Sequence, residues 1–256
     1  MTLTGLVPRM HGVRGFNNAD FYVGAPGVGA GSALGFTRFV LVRVGSYDLM
    51  DAGGFFLFSN CDAAFATGWF ESREFLVITD ARYSIANLGM APTNFALNAM
   101  AGVDRFMLLG QSFEPAVAVT PYMNGAPANT LAPTFIPSTG RLGIGGSLAD
   151  PTLGPTRDWI IGAGYDESVY TADDFAELFR FIRQTGRLTH PTLPMSLRYE
   201  TLDLEPREGS LAAPATWPNT GSLGAAGDLA WNGAPGALVD FETDASPVPV
   251  GTFTFV

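Results

Sequence analysis

Lysine is missing from this chain: all 14 cationic residues among its 256 are arginine, against 24 carboxylates, for a net charge of −10. Nucleic acid is bound through a basic face that neutralises phosphates, and an acidic chain offers none. Attraction to an anionic membrane surface is excluded on the same ground. Charged residues total 15%, below the roughly 25% of ordinary soluble domains. Cysteine occurs once, at Cys61, which rules out a disulfide framework and a multi-cysteine metal site. In Asn60-Cys61-Asp62 it reads as a small buried apolar residue. The two histidines, His11 and His190, lack metal-ligand spacing. No run reaches the ~18 consecutive apolar residues of a membrane helix. Met1-Thr2-Leu3-Thr4-Gly5 has neither a basic nor an apolar region, so no secretory signal is expected.

Apolar residues make up 47%, including 20 Phe, while Gly (31) and Pro (18) supply many turns. Length and composition suit one large β domain, or a domain plus an appendage. Residues 36–44 (Phe-Thr-Arg-Phe-Val-Leu-Val-Arg-Val) predict a core strand, and 53–59 (Gly-Gly-Phe-Phe-Leu-Phe-Ser) another, apolar on both faces. Further strands are expected at 19–23, 69–70, 74–79 and 104–109, with a looser region at 89–102. Such short strands between turn residues point to a sandwich rather than βα units. One helix is predicted at 171–185. Thr171 is its N-cap with Asp174 closing a capping box, Phe175, Leu178, Phe179 and Ile182 form its apolar stripe, and Gly186 ends it. The stripe is expected to pack on the sandwich edge. After Leu188 the composition shifts, with Pro191 and Pro194 in a linker-like stretch, a strand-like run at 195–205, and a Gly/Ala/Pro-rich segment at 209–236. Residues 241–242 and 251–256 could supply final strands. The expected organisation is a sandwich over 1–188 and a Pro/Gly/Ala-rich extension or small β appendage over 189–256.

Turn signals between 105 and 179 come in a fixed order. The run Tyr122-Met123-Asn124-Gly125 marks a tight hairpin needing positive φ. The Gly-rich strand Leu142-Gly143-Ile144-Gly145 follows, and Ile161-Gly162-Ala163-Gly164-Tyr165-Asp166 then leads into the helix. This order resembles the second half of laminin-G-like modules of the concanavalin-A-like lectin-glucanase superfamily, over about 15–188 and chiefly from Asp104 onward. The resemblance implies an all-β antiparallel jelly-roll sandwich with one short helix, used mainly for binding.

Many such modules hold calcium on a rim loop through acidic side chains. Asp48, Asp104, Asp150 and Asp166 are the candidates, with Asp51 and Asp62 beside them, and none sits in an Asp-rich loop of recognised spacing. A sugar site would need an aromatic platform, for which Trp69, Tyr83, Trp159 and Tyr165 are candidates; core packing is the competing account of Trp159 and Tyr165. The superfold also includes retaining glycoside hydrolases, which need two carboxylates about 5 Å apart on one strand face. Asp203 and Glu205 would share a strand face, whereas Glu200, three residues from Asp203, would point away. That stretch also follows the helix, where the hydrolases do not carry it. No nucleophile–base pair is apparent, and the Gly-rich runs at 24–35 and 140–146 lack the residues of a phosphate loop.

The leading expectation is therefore a non-catalytic structural or adhesive protein of an extracellular assembly. A virion is the economical case, as capsid decoration or tail/fibre component, since phage and other virus particles leave by lysis and need no signal peptide. Its partners would be other assembly subunits, a second copy of the chain, and cell-surface glycans, with neither nucleic acid nor membrane insertion. The alternatives are a carbohydrate-binding lectin-like module, with calcium as a conceivable cofactor, and a glycoside hydrolase.

Overall fold

A computed structural model describes residues 11–14, 20–43, 53–62, 67–75, 81–87, 93–96, 106–132, 134–148, 159–204, 209–234 and 238–243. Its strands are β1 (His11–Arg14), β2 (Phe21–Pro26), β3 (Phe36–Arg43), β4 (Gly53–Cys61), β5 (Gly68–Phe75), β6 (Ala81–Asn87), β7 (Thr93–Ala96), β8 (Phe106–Glu114), β9 (Ala118–Met123), β10 (Ala126–Pro127), β11 (Arg141–Ile144) and β12 (Trp159–Asp166). Helix α1 (Ala172–Thr185) follows, then β13 (Leu197–Glu200), β14 (Gly209–Ala212), β15 (Thr216–Trp217), β16 (Leu229–Asn232) and β17 (Leu238–Thr243).

Among the described residues these strands form two antiparallel sheets. One runs β10-β9-β8-β3-β12-β1-β17-β14, with β13 also paired to β12; the other runs β15-β16-β2-β11-β4-β5-β6-β7. About half of the paired neighbours are non-consecutive in sequence, the crossovers that a jelly-roll β-sandwich requires. The main core lies between the sheets. Phe36, Val40 and Val42 of β3 meet Leu57 and Phe58 of β4, Leu142 and Ile144 of β11, and Trp69 of β5, all closed to solvent. Cys61 is buried there as expected, its thiol donating to the Trp69 carbonyl at 3.1 Å.

Strand alternation sends Phe39 and Leu41 of β3, Leu108 of β8 and Ile161 of β12 to the opposite face, and α1 seals them with Phe175, Leu178 and Ile182. The stripe therefore covers a sheet face, not the sandwich edge: an apolar row of this breadth needs a lid along its length. Gly110 in β8 is part of the fit, because a Cβ there would collide with the Phe175 ring. The predicted caps are present. Thr171 Oγ1 accepts from Asp174 N, the Asp174 carboxylate accepts from Thr171 N, and Gly186 closes the helix in the left-handed conformation at φ 70°. The Asn124-Gly125 turn has φ 52° and 82°, the two positive values of a type I′ hairpin.

After Leu188, strands β13, β14 and β17 add to the helix-covered sheet, and β15 and β16 to the other. Trp217 and Leu229 from this region are closed to solvent within the main core. Several boundaries differ from expectation. Residues 68–75 form one continuous strand where a break was expected, and the looser region at 89–102 contains β7. The run expected as a strand over 195–205 is one only at Leu197–Glu200 and continues as a 3-10 turn at Thr201–Leu204. Thr201 Oγ1 donating to Ile161 O (3.1 Å) and Trp217 Nε1 donating to Glu200 O (3.1 Å) hold the backbone at that departure. The expected strand at 251–256 lies outside the described residues.

Candidate functional site

Strand directions gather the best-defined loops at one end of the sandwich. Phe36 pairs with Phe113 and Thr37 with Asp166, so β3 begins where β8 and β12 finish; Arg141 pairs with Pro26 and Cys61, so β11 begins where β2 and β4 finish. The segments 27–35, 115–117, 128–140, 167–171 and 218–228 all emerge there.

This end is braced from within. Asn60 Nδ2 donates to Val28 O (2.7 Å), Trp69 Nε1 to Gly29 O (3.0 Å), and Ser138 N to Ala30 O (2.9 Å). Phe135 lays its ring against Phe36 and Phe113, with centroids 4.7 and 5.3 Å away, while Gly68 N donates to Ile136 O (3.0 Å). Ser112 Oγ donates to Tyr170 O (2.6 Å), and Tyr170 N to Thr37 Oγ1 (2.8 Å). With their backbones so tied, the tips still present bare aliphatic side chains: Leu34 is 88% exposed, Val117 61% and Ile136 47%. Leu223 is exposed on the 218–228 segment of the same end. Polar neighbours are hydroxyls and amides such as Asn129, Thr130 and Thr134, all exposed. Segments 27–35, 114–118, 128–140 and 166–171 carry Glu114, Asp166 and Glu167 and no cationic residue.

The predicted aromatic residues do not assemble at this end as a platform. Trp69 and Tyr165 stack on each other inside the sandwich, with centroids 6.4 Å apart at 8°, and Arg38 lies 4.6 Å over the Trp69 ring. Burial pushes the Tyr165 phenol well above its ordinary range, and the nearby Glu167 carboxylate adds to the rise. Trp159 is half-buried at the other end of β12, packed over Gly12. Tyr83 stands in β6 opposite Arg73 and Phe95.

Of the proposed calcium ligands, Asp48, Asp104 and Asp150, with Asp51, lie outside the described residues. Asp166 is engaged by the chain itself, accepting from Ser168 N (2.9 Å) and Ser196 N (2.8 Å), which ties β12 to the start of β13. Asp62 accepts from Thr67 Oγ1 at 2.9 Å. Among the described residues no three His, Cys, Asp or Glu side chains converge on a possible metal position.

The carboxylates weighed for hydrolysis are apart in role. Glu200 is 2% exposed, accepts from Leu188 N (3.1 Å) and Thr189 Oγ1 (2.9 Å), and pairs with Arg187 Nε at 2.6 Å, fastening the segment after α1 onto β13. Asp203 lies in the 3-10 turn and accepts from Thr220 Oγ1 at 3.3 Å. Glu205 is outside the described residues.

Leu34, Val117 and Ile136 were not singled out from the sequence. Their signal is faint: a single large aliphatic residue within a run of Gly, Ala, Pro, Ser and Thr, where an uncovered turn and a buried loop read alike.

No protein-family model and no curated protein matches the sequence. Solved structures align with the chain. A protein from Bacteroides ovatus proposed to bind carbohydrate aligns over 94% of this chain and 61% of its own length, at 13% identity and TM-score 0.58. The chain thus spans about three fifths of that protein. A heptameric SAP-like pentraxin of Limulus polyphemus aligns over 70% of this chain and 78% of its own, at 9% identity and TM-score 0.42. A protein described as a receptor binding domain aligns over 82% and 54%, at 13% identity and TM-score 0.44. At such identities the likeness is one of fold, and the first of these places the chain among jelly-roll-like β-sandwiches.

Proposed function

We propose that this chain is a non-catalytic, lectin-like binding module of the laminin-G-like kind that takes neutral glycans at its loop end. The observation that carries the reading is the braced end itself, where fixed backbones present Leu34, Val117 and Ile136 beside exposed amides and hydroxyls. Apolar sugar faces pack on the aliphatic tips while ring hydroxyls meet Asn129, Thr130 and Thr134. Glu114 and Glu167 stand beside these tips with no cation in the same segments, so sialylated, uronic and sulfated glycans are repelled. The fold shared with the Bacteroides ovatus protein proposed to bind carbohydrate supports the same class of ligand.

A glycan array probed with the full chain, with and without calcium, tests this reading. Retention of neutral glycans is expected; an array without hits in either condition overturns it, and hits confined to anionic glycans overturn the charge argument.

A second reading is a structural or adhesive subunit of an extracellular assembly, such as a virion decoration or tail/fibre protein, that meets other subunits or its own copies. It is favoured by one feature, the apolar character of the exposed tips, since the buried core of a protein interface is more apolar than the surrounding surface. Sedimentation of the purified chain over a concentration series, alone and with native particles, tests it. A persistent monomer that binds no particle sinks it.

A further inference from the structure

Between the sheets, one row of inward-facing positions is polar where its neighbours are apolar. Arg38 points inward from β3 in line with Phe36, Val40 and Val42 and is closed to solvent. Its Nη1 donates to Asn87 Oδ1 of β6 at 2.7 Å, and its Nη2 to Gln111 Oε1 of β8 at 2.8 Å. Asn87 and Gln111 are themselves 2% and 1% exposed.

A guanidinium carries donors only, so it decides which way both amides face. Each carbonyl oxygen must point at Arg38; flipping either amide would set N–H against N–H. The NH2 ends are thereby turned away from Arg38, and among the described residues neither Asn87 Nδ2 nor Gln111 Nε2 has a protein acceptor within reach. Two buried amide donors held by one cation are costly to leave unsatisfied. They can be satisfied only by something that brings lone pairs to them.

We propose that the interior beside Asn87 and Gln111 is a binding site for one small lone-pair-bearing guest, a water molecule or a halide ion, which accepts from Asn87 Nδ2 and Gln111 Nε2 together. The positive charge of Arg38 on the far side of both amides polarises their N–H groups toward that guest. The guest joins β6 to β8 across the sandwich, a link that the two amides do not make directly, since neither NH2 group donates to the other's carbonyl. This site is independent of the loop end and of the glycan reading.

The test uses the full wild-type chain. Crystals grown in sodium bromide, measured at the bromine absorption edge, separate the two guests. An anomalous peak within hydrogen-bond distance of both amide nitrogens identifies a halide, whereas an ordinary solvent peak there without anomalous signal identifies water. A bromide peak that appears only at molar salt is an adventitious ion only and counts against the halide. In solution, 15N-labelled protein is expected to show exchange-independent cross-peaks between the side-chain NH2 protons and water in the water case. The Gln111→Glu variant, which keeps the acceptor for Arg38, assigns the Gln111 signals by deleting them. A site with neither peak nor cross-peak, or amide nitrogens seated against protein acceptors, overturns the proposal.

Discussion

The outer face of the helix-covered sheet and the loop end both begin with aliphatic side chains on the surface of β structure, and they meet opposite fates. Phe39, Leu41, Leu108 and Ile161 form a contiguous row, and one amphipathic helix can cover such a row in a single packing event. Leu34, Val117 and Ile136 sit singly on three different turns; the segments carrying Leu34 and Ile136 are bonded to the sandwich interior, and the turn of Val117 closes on Glu114. Among the described residues no element reaches across all three. The difference shows that contiguity, more than hydrophobicity, decides which apolar surface a fold buries and which it leaves exposed.

The largest effect is expected on the covered face. Phe175→Ala removes the ring that stacks on Tyr122 (centroids 4.0 Å apart) and fills the space over Gly110. It should destabilise by about 3–5 kcal/mol in denaturant titration. A loss under about 1 kcal/mol would mean that α1 is not what seals this face.

Alkali should act next, through phenols buried at the core and beneath the loop end. Burial raises Tyr22, Tyr165, Tyr170 and Tyr199 from the ordinary value of 10.0. The folded state therefore keeps its phenol protons where the unfolded chain releases them. This contribution is complete below pH 10 and is lost progressively as pH climbs above it. Stability followed by near-ultraviolet absorbance and circular dichroism should decline from about pH 10 upward, with phenol ionisation and unfolding coincident. Free ionisation of all tyrosines ahead of unfolding would contradict the burial.

A smaller effect belongs to the helix start. Thr171→Ala removes the acceptor for Asp174 N and should cost about 1 kcal/mol in denaturant titration. The smallest stability change is expected at the opposite region. Leu34→Ser, at a position 88% exposed, should stay within about 0.5 kcal/mol of wild type yet weaken retention on any array glycan the parent holds. If that substitution destabilised the protein as much as Phe175→Ala, the contrast between the two regions would collapse.

Much of the fold was legible because it rests on local signals. The capping box at Thr171 and Asp174, the stripe ending at Ile182, and the Asn124-Gly125 turn each depend on residues within a few positions of one another. The break after Glu200 was not legible, since it is held by Ile161 and Trp217, distant in the chain. Nor was the interior position of Trp69, whose surroundings come from β3 and β12 as well as its own sheet. A tryptophan flanked by Gly68 and Phe70 reads the same at a rim or in a core. The loop end was illegible for a related reason. Leu34 and Phe135 are both large apolar residues in Gly/Pro-rich runs, yet the first is bare and the second packs on Phe36.

By itself the sequence determined the class of architecture, the capped helix α1, the buried cysteine and the acidic, lysine-free composition. Those follow from periodicity, capping chemistry and composition, which act over a turn or a strand. Tertiary structure alone decided which aromatic residues are core, which aliphatic tips stay exposed, and that Arg38 orients two amides between the sheets. Each of those outcomes depends on strands brought together from far apart in the chain, and local pattern carries no record of which strands will meet.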